Sequence, residues 1–243
     1  MEIVEIVLSA LAVLLILTIH EYSHAFAAYK LGDNTAKNMG RLSLNPLKHL
    51  DPFGAICMIL FHFGWAKPVP INARNFKNPK RDFAITALAG PLSNMIFAFI
   101  SAFFIVLVQS LYIRVGDINS FTSQLIINLF TFLVIFHQIN IGIGLFNLIP
   151  IPPLDGSRIL NVILPPKYYF GIMKYERKIY MGLIVWLAFG DILKSAALSV
   201  PLIAANPVLS TLTGIFSLSD MLGYVIIQLS NAMLSFWQLI PFL

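Results

Sequence analysis

Two histidines and a glutamate stand at a spacing that suits hydrolytic metal chemistry: His20-Glu21-Tyr22-Ser23-His24 reads H-E-x-x-H. On an α-helix, residues four apart differ by only about 40° around the axis, so both imidazoles share one face and can hold a single Zn²⁺. The glutamate between them is placed to take a proton from a zinc-bound water, which turns water into a nucleophile near neutral pH. The setting is unusual, because the pentad lies inside an apolar run, residues 3–29. Ionisable side chains within a membrane helix are costly enough to mark function. With five histidines and four glutamates in 243 residues, chance yields an H-E-x-x-H in about one such chain in six hundred.

A catalytic zinc normally takes three protein ligands and keeps one position for water. By residue type alone the third could be His49, His62 or His137. Asp155 is better placed, because it follows the proline-rich stretch Pro150-Ile151-Pro152-Pro153. Backbone freed there from helix bonding can line a wet cavity. The pattern equally suits Asp155 as the N-cap of a helix beginning at Gly156.

These residues must be positioned by membrane-spanning helices. The chain is 58% hydrophobic and 11% charged, with a mean hydropathy of +0.82, far from the roughly 25% charged residues of a soluble domain. Apolar runs cover about residues 3–29, 83–113, 121–149, 179–205 and 208–243. The expectation is an all-α polytopic membrane protein of about five to six transmembrane helices. A shorter apolar stretch, 54–66, is too brief to cross as a helix. With the proline-punctuated Lys67-Pro68-Val69-Pro70-Ile71-Asn72 it reads as a re-entrant or short β-like segment near residues 54–72, at most an edge strand. The whole of 1–243 reads as one integral-membrane domain, with core motifs at 10–165 and C-terminal helices at 179–243. The first run has no basic n-region or cleavage site and reads as a retained span. Asp191 and Lys194, three apart on one helical face, could pair inside the membrane.

A net charge of +5 does not indicate nucleic acid as a partner, because the cations cluster in two loops. Residues 30–82 hold nine Lys and Arg, residues 151–178 hold five, and 114–120 hold only Arg114. The positive-inside rule then places the N-terminus outside and both basic loops in the cytoplasm. His20 and His24 lie six to ten residues before the cytoplasmic end of the first span, roughly 9–15 Å deep. Asp155 lies just past the cytoplasmic end of the third, so the candidate ligands share one side of the bilayer.

Together the motifs resemble the site-2 protease family of intramembrane zinc metalloproteases. The matching pieces are H-E-x-x-H, Ala89-Gly90-Pro91-Leu92-Ser93-Asn94, and the stretch from Asn147 through Pro150 and Leu154-Asp155-Gly156. Gly40-Arg41-Leu42-Ser43-Leu44-Asn45-Pro46 and residues 67–72 are similar to the loops of its compact bacterial members. The resemblance spans about residues 10–165 and no PDZ or CBS domain is evident. It implies one Zn²⁺ per chain on His20, His24 and Asp155, Glu21 as general base, and Asn147 steadying substrate or the oxyanion. It implies a multi-pass cell-membrane enzyme whose site faces the cytoplasmic side of the lipid bilayer. Its substrate would be another protein's transmembrane segment, cut in regulated intramembrane proteolysis. The alternative is an inactive zinc-binding scaffold or chaperone, against which the retention of Glu21 argues. Asn94 and Asn140 would serve either the site or helix packing.

Overall fold

A computed structural model describes residues 3–52, 54, 66–115, 120–206, 209–210, 213 and 217–240. The first apolar run forms α1 (Ile3–Lys30), whose 28 residues extend about 42 Å, more than a bilayer core requires. Its few hydroxyls do not break it, because Thr18 and Ser23 return their protons to the Leu14 and Ile19 carbonyls one turn back. A short helix, α2 (Thr35–Asn38), precedes α3 (Pro79–Val115) and α4 (Ser120–Leu148). The helices α1, α3 and α4 pack mutually and are the three described helices long and apolar enough to cross a membrane. Their core joins Ala12, Ile16 and Phe136 to flanking residues such as Phe97 and Ile143. Fully buried alanines at 12, 25, 28, 98 and 102 let the helix backbones approach closely.

After α4 the chain turns through a cis Pro152–Pro153 bond into α5 (Asp155–Ile163), then α6 (Pro166–Met173) and α7 (Glu176–Leu198). The last of these qualifies as a fourth span only when its halves, Glu176–Leu187 and Phe189–Leu198, bent by 49°, are taken together. A short α8 (Pro201–Ala205) follows, and α9 (Leu218–Gln238) packs on α3 and α4. Trp237 Nε1–H donates to the Phe99 carbonyl at 2.9 Å, and buried His137 lies 2.9 Å from Ser230 Oγ and from the Ala98 carbonyl. That assigns His137 to joining three helices. Lys194 of α7 pairs with Asp220 of α9, which gives Asp220 a structural role.

No strand occurs among the described residues. Residues 66–72 are extended, anchored by an isolated antiparallel bridge between Leu50 and Ala66. The expected re-entrant stretch at 55–65, with Cys57 and His62, lies outside the described residues. The loop after α1 needs glycine where it reverses, at Gly32 (φ 110°) and Gly40 (φ 67°). Buried Asp33 organises it by accepting from Thr35 N–H and Oγ1–H, Asn72 N–H and Asn75 Nδ2–H. Burial works against its charge, but these four donors outweigh that effect and hold the carboxyl below its usual range. Arg41 donates to the Lys67 carbonyl at 2.6 Å, and Lys67 N–H to the His49 carbonyl at 2.9 Å. The extended segment is thus carried by the loop that leaves α1.

Candidate metal centre

His20 and His24 sit on the buried face of α1, one turn apart, and their Nε2 atoms are 3.0 Å from each other. Asp155 Oδ2 lies 3.1 Å from His20 Nε2 and 3.2 Å from His24 Nε2. Three donor atoms from two separate helices therefore converge on one point. A tetrahedral zinc with bonds of about 2.0–2.1 Å separates its donors by about 3.3 Å, so this set needs to open by only tenths of an ångström.

The hydrogen bonds behind the rings decide what the triangle can hold. His24 Nδ1 lies 2.7 Å from the Thr86 carbonyl, which can only accept, so Nδ1 carries the proton. His20 Nδ1 faces Asn94 Oδ1 at 3.0 Å, which assigns it the same tautomer. Both Nε2 atoms then present lone pairs towards a carboxylate oxygen. Three acceptors at this range repel one another unless a cation stands between them, and two imidazoles with one carboxylate suit zinc. The residues present fit a single divalent ion.

Both ring anchors belong to α3, which crosses against the face of α1. Gly90 makes that approach possible, because a Cβ there would lie 2.4 Å from His24 Nε2. Gly144 on α4 lets Met95 and Asn94 seat in the same way, and Gly156 lets α5 start against the Leu148 carbonyl. Asp155 is the first helical residue of α5, and no side chain caps that helix. The N-cap reading of Asp155 is therefore not what the structure shows.

Glu21 lines the same cavity of about 620 Å³, with Val69 and Asn147 among the other lining residues. Its Oε2 accepts from Val69 N–H at 2.8 Å, which ties α1 to the extended segment. Asn147 turns Nδ2–H back to the Ile143 carbonyl at 3.0 Å. His49 faces the Ser43 carbonyl in the loop at 2.7 Å, and Asn140 donates to the Phe136 carbonyl at 2.8 Å. His49 and His137 thus stand apart from the cluster. Sequence reasoning missed the Thr86 carbonyl and the need for Gly90. A backbone acceptor leaves no trace in residue type, but a helical glycine one turn before Asn94 was a legible sign of close packing.

The family model of Peptidase family M50 matches residues 8–189. The chain is 47% identical over 149 residues to a protein of Bacillus subtilis named "Putative zinc metalloprotease YwhC", covering 61% of this chain and 65% of that one. It is 27% identical over 158 residues to "Putative zinc metalloprotease Rip2" of Mycolicibacterium smegmatis, covering 63% of this chain and 56% of the relative. It is 29% identical over 174 residues to "Zinc metalloprotease MJ0392" of Methanocaldococcus jannaschii, covering 71% and 39%. The matches therefore span between 39% and 65% of the length of these curated relatives. No solved structure matches.

Proposed function

Because the chain belongs to Peptidase family M50, we propose that it is a zinc metalloprotease of the membrane. We propose further that it cuts peptide bonds in or near transmembrane segments of other proteins. The observation that supports this best is the triangle of His20, His24 and Asp155, whose donors lie 3.0–3.2 Å apart with both histidine tautomers preset. These three residues are the ones to hold the metal. A zinc ion held by them would supply Lewis acidity to the scissile carbonyl and the attacking water.

The remaining chemistry belongs to the chain. Glu21 is the general base. Its Oε2 is fixed by Val69 N–H, so Oε1 takes the proton of the attacking water and delivers it to the leaving amine. Asn147 rotates its amide from the Ile143 carbonyl towards the developing oxyanion. A helical substrate hides its carbonyls, so it must unwind, and the extended residues 67–71 offer backbone for it to pair with. Pro68 and Pro70 have no N–H, and that of Val69 serves Glu21, which makes Ile71 the informative donor. We propose that the site faces the cytoplasmic side, a reading that the two basic loops support.

The test is zinc content per purified chain in detergent together with cleavage of a single-span substrate. Wild type holds one zinc and cuts. Glu21→Gln keeps zinc and loses at least about a thousandfold in rate, and Asp155→Ala loses zinc. Stoichiometric zinc without Glu21-dependent cleavage would leave the scaffold reading.

A further inference from the structure

The acidic side chains near the site are engaged, whereas six of the nearby cations have no acidic partner among the described residues. Asp33 and Asp82 are buried at 0% and 1% exposure, Glu176 pairs with Arg158 at 2.8 Å, and Asp155 belongs to the triad. Asp82 accepts from Asn78 N–H and neutralises Arg81. Against these, Lys67, Arg74, Lys77, Lys174, Arg177 and Lys178 are exposed and have no acidic partner among the described residues. They stand in two banks. Lys67, Arg74 and Lys77 flank the extended segment that forms one wall of the cavity, on both of its ends. Lys174 precedes α7, and Arg177 and Lys178 stand in its first turn, ahead of Tyr180 and Leu183, which also line the cavity. In the chain, Lys67 immediately precedes residues 68–71 and Arg74 and Lys77 follow them, so each end of the extended segment has a cation beside it in sequence.

Resting on the protease reading above, we propose that this basic mouth selects substrates by charge. The chain favours segments whose flank, on the side of the metal site, is acidic. An ordinary membrane span carries Lys and Arg on its cytoplasmic flank. Such a flank brings like charges onto Lys67, Arg74 and Lys178, whereas an acidic flank is drawn in and held. Unpaired surface cations are screened by salt, so the preference must shrink as ionic strength rises. Bulk membrane spans are thereby disfavoured without any contact to their sequence.

The experiment uses three single-span substrates identical except for four flanking residues: Asp, Ser or Lys. The full chain, zinc-loaded in neutral phosphatidylcholine vesicles, should cut them in the order acidic, neutral, basic. We expect kcat/KM to span about tenfold at low salt and about two- to threefold in 0.5 M salt. Arg74→Glu with Lys77→Glu, or Lys174→Glu with Lys178→Glu, should invert the order while the serine-flanked substrate reports an intact enzyme. Equal rates for all three flanks would overturn the proposal. So would charge-reversed variants that lose activity equally on every substrate, and only in anionic vesicles, which would assign the banks to lipid headgroups. Binding of the same three segments to Glu21→Gln, read by fluorescence anisotropy, ranks them without turnover. Ranked binding with no cleavage by wild type would sink the protease reading and keep the charge preference, and cleavage with unranked binding would do the reverse.

Discussion

Replacing Gly90 by alanine should cost metal affinity rather than fold. The added Cβ would lie 2.4 Å from His24 Nε2, 2.6 Å from His24 Cε1 and 2.7 Å from His20 Cε1. Ordinary carbon contacts begin near about 3.5 Å, so α3 and the two rings must separate by about 1 Å. The rings cannot escape by turning alone, because Thr86 and Asn94, which hold their Nδ1 atoms, also belong to α3. Backing α3 away drags both anchors with it. Disturbing such ring partners lowers metal affinity by about 10–100-fold, and a 1 Å misplacement of reacting groups costs about a hundredfold in rate. Stability moves less, because alanine gains about 1 kcal/mol over glycine in a helix while overpacking costs about 1–3 kcal/mol. The assay is a zinc titration against a competing chelator, run beside thermal unfolding in detergent. Gly182→Ala, where a Cβ meets nothing within 4 Å, is the matched control and should behave as wild type. A Gly90→Ala protein with unaltered zinc affinity would refute the argued contact between α3 and the histidines.

Asn94→Ala removes the acceptor that presets the His20 tautomer and should weaken zinc about 10–100-fold by the same titration, with Asn94→Asp restoring most of it. Ile71→Pro should slow cleavage about tenfold with zinc content unchanged, while proline at Val69 would also strip Glu21 of its donor and is the poorer test. Asp33, whose folded carboxyl titrates below its usual range, contributes stability above pH ~4 that is lost as pH falls through its folded value. Melting temperature from pH 7 down to pH 3 should therefore hold and then drop. Asp33→Asn sets its amide against the Asn75 donor, should cost about 1–3 kcal/mol at neutral pH, and should flatten the acid limb.

The pentad was legible because metal chemistry needs particular residue types at a helical spacing, and the distal aspartate only through the resemblance of its Leu154-Asp155-Gly156 to a family motif. The three long spans were legible because bilayer thickness imposes their length. What lay beyond reach was tertiary. Nothing in the spacing of His24 and Thr86 says that a backbone carbonyl will meet that ring. The sequence alone weighed Asp155 evenly between ligand and cap, and the turn from α4 into α5 decided where it went. Asp220 had no assignment because its partner, Lys194, is 26 residues away on another helix. The segment at 67–72 was expected as at most an edge strand; it is extended but forms no strand, and its hold on Glu21 follows only from packing.

The polar loop and the metal site form a single mechanical unit. The helix that bears both histidines and Glu21 runs directly into Asp33, and Asp33 accepts from Asn72 at the far end of the extended segment. Arg41 and His49 hold its near end at Lys67, and Glu21 itself holds its middle at Val69. A segment with two prolines cannot be fixed by a regular sheet, so it is fixed by side chains, one bond at a time. Those bonds also account for the charge of the mouth. Asp33 and Asp82 are buried as acceptors for backbone, amide and guanidinium donors, which leaves exposed lysines and arginines as the groups that meet an incoming chain. Positioning the cleft and charging its rim are therefore two results of one folding requirement, the need to give an extended backbone its hydrogen bonds at a membrane surface.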